Sequence, residues 1–360
     1  MTMLQNILYG GQFMNLTYQE VKKQYTALHQ TFNYMLEHRY AIEELRQQVQ
    51  PTSITFVGCG SSYCLSESAV FSTRLYTDMP ASALAGGDLM LNAERYAPLL
   101  ANTLLVAPSR SGSTSEIIEA IQRVRKLQPL SVLSLSCVSD SPLSTQADLS
   151  LELPWAFDHS VCQTRTVTNL YVANLLINAF WSNDEKLIED IQSAIQMGEA
   201  YMEKVEASIR EVADFAWKRV ILLADGELQG LANEGAIAIT EIAQAEAHAF
   251  HLLDVRHGPM VTIDQDTLVI VALTGEGTSY QHDLIQDIDA RGARIIALAD
   301  HANRIPDALV HLGIVLEQPL HPAAQGIPFI FIPQIVALAS AERQNINPDQ
   351  PDGLEAWVKL

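Results

Sequence analysis

The sequence predicts an α/β fold of two similar halves, each a mostly parallel, doubly wound sheet flanked by helices. Three observations carry this. Short continuous apolar runs alternate with amphipathic helical stretches, the pattern of strands buried on both faces. The alternation is passed through twice. The two passes also resemble each other: Ser53–Gly60 (SITFVGCG) matches Arg219–Gly226 (RVILLADG), and Asn102–Ser109 (NTLLVAPS) matches Asp266–Leu273 (DTLVIVAL). Nearly equal strand-to-strand spacing in both halves makes an internal repeat the economical reading.

Residues 1–50 read as an N-terminal helical segment. Thr17-x-x-Glu20 has the form of a capping box before one long helix to about Gln50, and Pro51 stops it. Residues 51–183 form the first α/β unit, with strands expected at Ile54–Val57, Thr103–Ala107 and Val132–Leu135. A linking helix occupies 184–215. The second unit, 216–345, has strands expected at Val220–Leu223, Leu268–Leu273 and Ile295–Leu298, and 346–360 is a C-terminal tail.

A chain of 360 residues is about two domains long. With 48% apolar and 18% charged residues it has the material for a core, which excludes wholesale disorder. A formal charge of -20 excludes nucleic acid as a partner, because such binders need Lys and Arg to displace counterions. A small anion stays possible, since backbone N–H groups at a helix start bind phosphate despite an acidic surface. The first residues lack the basic and apolar regions of a leader. No apolar run is expected to span a bilayer, so the reading is cytoplasmic, with no membrane partner. Cys59, Cys64, Cys137 and Cys162 are too few and too irregular for a disulfide framework, and no CxxC pair suggests zinc. His248, His251, Asp254 and His257 recur in steps of three, which drift around a helix. No metal and no cofactor are expected.

Open parallel sheets bind ligands beyond the carboxyl ends of their strands. Two loops of the first half occupy that place. One is Gly58-Cys59-Gly60-Ser61-Ser62; the other is Ser109-Arg110-Ser111-Gly112-Ser113-Thr114, ahead of a helix starting near Ser115. Small residues let backbone approach an anion, and hydroxyls donate to its oxygens. Either loop alone could be a structural turn; two at adjacent strand ends favour a phosphate site. The equivalent loop of the second half, Thr274–Thr278, carries Glu276, whose charge would repel phosphate. One site per chain is expected.

Cys59-Gly60-Ser61-Ser62 followed about fifty residues later by Ser109-Arg-Ser-Gly-Ser-Thr114 resembles the sugar isomerase (SIS) domain. The tandem arrangement is similar to the isomerase half of glucosamine-6-phosphate synthase, to ketosamine-6-phosphate deglycases and to glucosamine-6-phosphate deaminases. The resemblance runs from about Ser53 to the C-terminus. It implies a flavodoxin-like sheet in each half and a phosphate held by Gly60, Ser61, Ser62, Ser109, Ser111 and Thr114, with Arg110 where the synthase has Gln. It implies that Val161, Thr164 and Arg165, in Asp158-His-Ser-Val-Cys-Gln-Thr-Arg165, line the site, together with Glu234.

Glu234 and Glu241 stand seven apart and share a helix face. Glu241 is read as mid-helix among apolar neighbours, where an acid needs a reason. In the family a catalytic Glu and His stand sixteen apart, as Glu241 and His257 do. Moving a proton between C1 and C2 of an open-chain sugar needs a carboxylate that takes and returns it. Opening the ring needs a group that donates near neutrality, which suits His.

The synthase has a Lys between its two glutamates, where this chain has Ala238; deglycases of the family also lack it. The synthase's glutaminase cysteine has no match, since Thr2 follows the initiator Met and the first cysteine is Cys59. Glutamine-driven synthesis is therefore not expected. The family's tail folds over the site with a Schiff-base Lys, which Lys359 matches only with a shift of a few residues; Trp357 is the alternative lid residue. The resemblance also implies a homodimer with composite sites, each His lent by the partner. The expectation is an enzyme that releases an amine from an amino-sugar or glycated-amine 6-phosphate, a deglycase first. A deaminase, a simple aldose–ketose isomerase and a non-catalytic sugar-phosphate sensor are the alternatives.

Overall fold

The computed structural model describes residues 15–355 except Glu276 and Glu317, and the backbone of a short antiparallel hairpin, Leu8–Tyr9 with Gln12–Phe13. The N-terminal segment is three helices rather than one: α1 (Leu16–Lys22), α2 (Gln24–Glu37) and α3 (Arg39–Val49). Lys23 and His38 break the run, each with ψ near zero (4° and 3°), in the sparsely allowed bridge region. Gln50 closes α3 in the left-handed region before Pro51. The capping box is not formed. Asn15 is the N-cap, accepting from Tyr18 N at 2.7 Å, and Glu20 points into the core instead.

The first sheet contains β1 (Ser53–Gly58), β2 (Ala81–Ala85), β3 (Thr103–Ser109), β4 (Ser131–Ser136) and β5 (Leu149–Glu152), ordered β2-β1-β3-β4-β5 and parallel throughout. Helices α4 (Ser61–Tyr76) and α5 (Ser115–Leu127) follow β1 and β3, and α6 (Arg165–Ser182) follows β5. After α7 (Glu185–Ala213) the plan repeats with β6 (Arg219–Leu223), α8 (Glu227–Ala243), β7 (Glu246–Phe250), β8 (Thr267–Leu273), α9 (Thr278–Asp289), β9 (Arg294–Ala299), β10 (Leu312–Val315) and α10 (Phe331–Gln344). Its order, β7-β6-β8-β9-β10, is the same and again all parallel.

The sequence repeat holds residue for residue. Ser53 pairs with Thr103 and Arg219 with Thr267, so both halves use one register. Six of the ten strands are legible as apolar runs. The other four (β2, β5, β7 and β10) are edge strands, short and partly exposed, as in ASALA and EAHAF. An edge strand needs only one buried stripe, which a four- or five-residue segment shows weakly.

The halves meet through the helix after the first strand of each. On α8, a Cβ at Gly230 would lie 2.4 Å from Cys64 O and 2.6 Å from Ser68 N, both backbone atoms of α4. Only glycine lets the two helices approach so closely. Gly230→Ala should therefore lower the unfolding free energy by about 1–3 kcal/mol, the usual effect of overpacking, readable as a shift of the urea midpoint. Helix α6 is buried on every side from Thr166 to Trp181. Pro322–Gln344 is long and apolar enough to cross a bilayer by length and composition alone, and its most apolar part is 94% buried within the fold. Ile327, Phe331, Ile335 and Leu338 of this stretch, wholly buried, fill the core beside α7 and α8.

Candidate active site

Strands β1 and β3 are neighbours whose connections leave in opposite directions, so the cleft beyond their carboxyl ends is a switch point. Both serine loops open there. Gly60 turns the chain at φ 55°, ψ -130°, and Ser61 and Ser62 begin α4, both buried. Ser109 ends β3, and its Oγ accepts from Gly112 N at 3.0 Å. Ser111 Oγ accepts from Ser113 N at 3.2 Å. Both hydroxyls act as acceptors in these bonds, which leaves their protons to donate. Thr114 is the N-cap of α5 but makes no side-chain cap bond.

Gly226 repeats the turn of Gly60 at φ 58°, ψ -135°. Its neighbours differ in charge. Asp225 accepts from Leu252 N at 3.2 Å and meets His251 Nδ1 at 2.9 Å, while buried Glu227 accepts from the Tyr76 hydroxyl. The second half has the same backbone and the wrong charge for phosphate. Glu276, on which the sequence argument rested, lies outside the described residues.

Helix α8 brings two carboxyls toward the first half. Glu234 is 1% exposed, and its Oε2 has no hydrogen-bond partner among the described residues. Burial pushes its pKa well above the usual carboxyl range, with Glu241 and Asp158 adding repulsion. Glu241 is not mid-helix: α8 ends at Ala243, so this carboxyl sits in the last turn. Burial raises its pKa too, against the opposing pull of the Cys162 thiol and the Arg110 guanidinium. The helix C-terminus is itself a poor place for an anion. Arg110 points inward, 5% exposed, and donates Nη1 to Ser160 O at 2.9 Å. It thereby joins the second serine loop to the 158–165 segment, and its charge acts on Glu241. Ala238, between the glutamates, is buried.

The segment from Asp158 to Arg165 completes the cluster. Asp158 is buried and accepts from Thr164 N at 2.7 Å and Thr166 N at 2.8 Å at the start of α6. Burial raises its pKa while these bonds and Arg165 oppose. Thr164 is the N-cap of α6. Arg165 donates to Phe157 O and lies 3.7 Å from Asp158 and 4.0 Å from Glu20. Val161 N donates to Asp349 O at 3.0 Å, which ties the loop to the tail. Lys359 and Trp357 lie outside the described residues.

His257 stands apart. It is exposed in the turn Asp254–His257, and it is not among the groups acting on Glu241. His248 and His251 turn to separate carboxylates, Glu246 and Asp225. Sequence reasoning overlooked Asp158 and Cys162, although both stood inside a quoted motif, and misread Glu20 as a cap. Its one signal was an acid beside Thr17 and Val21 on the buried stripe of α1.

The stack of raised carboxyls has a sign for stability. A carboxyl whose folded pKa is raised keeps a proton that the unfolded chain releases. Stability from that group is full below the unfolded pKa and is lost as pH rises toward the folded value. Glu234→Gln removes one such group. Its melting temperature relative to the parent should climb steadily between about pH 5 and pH 8; a constant difference across that range would contradict the burial argument.

The SIS domain profile matches residues 49–178 and 215–338. The chain belongs to the SIS domain family. Among curated relatives, this SIS chain is 23% identical over 349 residues to a glutamine–fructose-6-phosphate aminotransferase (isomerizing) of Sulfurisphaera tokodaii, covering 95% of the chain and 56% of the relative. It is 25% identical over 346 residues to a D-galactosamine-6-phosphate deaminase of Escherichia coli O157:H7, covering 90% and 86%. The chain thus spans little more than half the length of the aminotransferase and most of the deaminase. Among solved structures, the tagatose-6-phosphate ketose/aldose isomerase of Escherichia coli superposes with a TM-score of 0.83 at 22% identity, over 96% of each chain. The C-terminal domain of the glucosamine-fructose-6-phosphate aminotransferase of Francisella tularensis gives 0.82 at 20%, over 96% of this SIS chain and all of that one. The isomerase and deaminase type of SIS enzyme read from the motifs is the type these relatives represent.

Proposed function

We propose that this SIS enzyme releases an amine from an amino-sugar or glycated-amine 6-phosphate by moving a proton between C1 and C2, with a ketosamine 6-phosphate as the first reading. The observation that supports it most is Glu241: a partly buried carboxyl of raised pKa, within the electrostatic reach of Arg110 on a serine loop at the switch point. Ser61, Ser62, Ser109, Ser111 and Thr114 receive the phosphate at the starts of α4 and α5, and Val161, Thr164 and Arg165 border the sugar.

In the ketosamine, C2 is the carbonyl carbon and C1 bears the amine. His257 of a second copy donates to the ring oxygen and opens the ring. Glu241 then takes a proton from C1, the electron pair forms the C1=C2 bond, and the C2 oxygen picks up a proton from solvent to give an enaminol. Return of the Glu241 proton to C2 leaves a C1=N iminium, and the water that adds to C1 gives its surplus proton back to solvent. The C1–N bond then breaks to give an aldose 6-phosphate and a free amine. A carboxyl with a raised pKa suits both halves of this relay, since proton transfer is easiest near matched acidity. Ala238 puts no amine between the glutamates, which distinguishes this site from the synthase pattern.

A second reading, glucosamine-type deamination, is favoured by the deaminases among the relatives that the chain nearly spans. There the amine leaves from C2, yielding a ketose 6-phosphate and ammonia. Incubating the protein with a panel of fructosamine 6-phosphates and hexosamine 6-phosphates, and following glucose 6-phosphate, fructose 6-phosphate and ammonia, separates the two. Glucose 6-phosphate from a fructosamine is the expected product. Ketose phosphate with ammonia makes it a deaminase. Binding of sugar phosphates without any product overturns the enzymatic reading in favour of a sensor.

A further inference from the structure

We propose that Glu20, on a helix outside both sheets, is a positioning residue that sets Arg110 and Cys162 against Glu241. The inference rests on the reading of Glu241 above and adds a residue from α1 to that site. Glu20 is 3% exposed. Its Oε1 accepts from His159 N at 2.6 Å, and its Oε2 accepts from the Ser160 hydroxyl and from Ser160 N at 3.3 Å. Arg165 Nη2 lies 4.0 Å away. The groups bonded to this carboxyl are donors, which suit its acceptor oxygens, while burial and the neighbouring Asp158 push its pKa up to about 7. A surplus acid on a core helix face is costly unless so satisfied.

The consequence runs through Ser160. Its carbonyl receives Arg110 Nη1 at 2.9 Å, and its single hydroxyl proton is shared between Glu20 Oε2 and Cys162 O, the latter at 3.0 Å. Arg110 and the Cys162 thiol are the two groups that pull the pKa of Glu241 down against burial. Hydrogen bonds therefore join Glu20 through Ser160 to Arg110, whose charge acts on Glu241, and the same loop carries Cys162, whose thiol bonds that carboxyl. The rest of the loop has separate anchors. Asp158 holds Thr164 and Thr166, and Asp349 O holds Val161 N while its carboxylate accepts from Leu16 N and Thr17 N on α1. Glu20 alone of these holds 159–160, the stretch that offers its carbonyl to Arg110. Removing it should leave the fold anchored and move the seat of the guanidinium.

The test compares Glu20→Gln, Glu20→Asp and Ser160→Ala with the parent in the full chain. Readouts are melting temperature, kcat and KM on the substrate the parent turns over, the pH profile of kcat, and the rate at which a disulfide reagent labels Cys162. The labelling is assigned with Cys162→Ser. In Glu20→Gln, kcat should fall by about 10–100-fold with KM little changed, the scale of a displacement near 1 Å. The acid limb of the profile should move to higher pH, because Glu241 keeps its burial and its neighbour Glu234 but loses Arg110 and Cys162. Ser160→Ala, with one bond removed, should shift both readouts less and in the same direction. Glu20→Asp should recover part of the loss. A lower melting temperature with kcat and the acid limb unchanged overturns the proposal. If the parent turns over nothing, the enzymatic reading fails by itself. Cys162 labelling then decides the role of Glu20: about tenfold or faster labelling in Glu20→Gln is expected of a released loop, and equal rates overturn it.

Discussion

Glu241→Gln should lower kcat by about a thousandfold or more, the scale of losing a positioned general base, while fructose 6-phosphate binding stays within about threefold. The amide keeps the shape of the side chain and has no proton to take or return. The serine loops proposed to hold the phosphate belong to β1, β3 and their following helices, and the substitution replaces none of their residues. Stability should not fall. The carboxyl is held above its usual pKa by burial, so its ionised form opposes folding, and the neutral amide is relieved of that opposition. In the parent, the base must be ionised. Activity is then lost as pH falls through the raised pKa of Glu241, and the acid limb of kcat lies above the ordinary glutamate value. A limb at that ordinary value, or a variant with near-parent kcat, would move the proton relay to another group, with Glu234 the first candidate by burial and proximity.

Mixing inactive Glu241→Gln with inactive His257→Asn should restore about a quarter of parent activity after subunit exchange, the yield of random pairing in a two-fold dimer with shared sites. In a mixed dimer one site carries both changes and the other carries neither. The expectation follows from the exposed position of His257, apart from the groups that act on Glu241. Next to it, Val261 is 80% exposed and Leu253 41%, an apolar rim that suits contact with another copy. Absence of recovery, with exchange verified by a tagged subunit, would mean that His257 serves its own chain or does not serve the reaction.

The amino-acid sequence by itself determined the duplicated α/β plan. Central parallel strands are buried on both faces, so their apolar runs are continuous, and the repeat between Ser53–Gly60 and Arg219–Gly226 survives as a shared register. It also pointed to the two serine loops as a phosphate site, because glycines and hydroxyls at two adjacent strand ends are a local chemical signal. Glu241 and Glu234 were legible as acids on one face of an otherwise apolar helix. Tertiary structure alone decided the rest. That Glu20 leaves its own helix start for Ser160, that Arg110 turns inward to Ser160 O, and that Asp349 caps α1 are contacts between residues far apart in the chain. Local propensity and periodicity describe a residue against its near neighbours. They cannot say which buried carboxyl finds which donor, since that is settled only when the helices and loops of the whole chain close around each charge and each must be paired or neutralised.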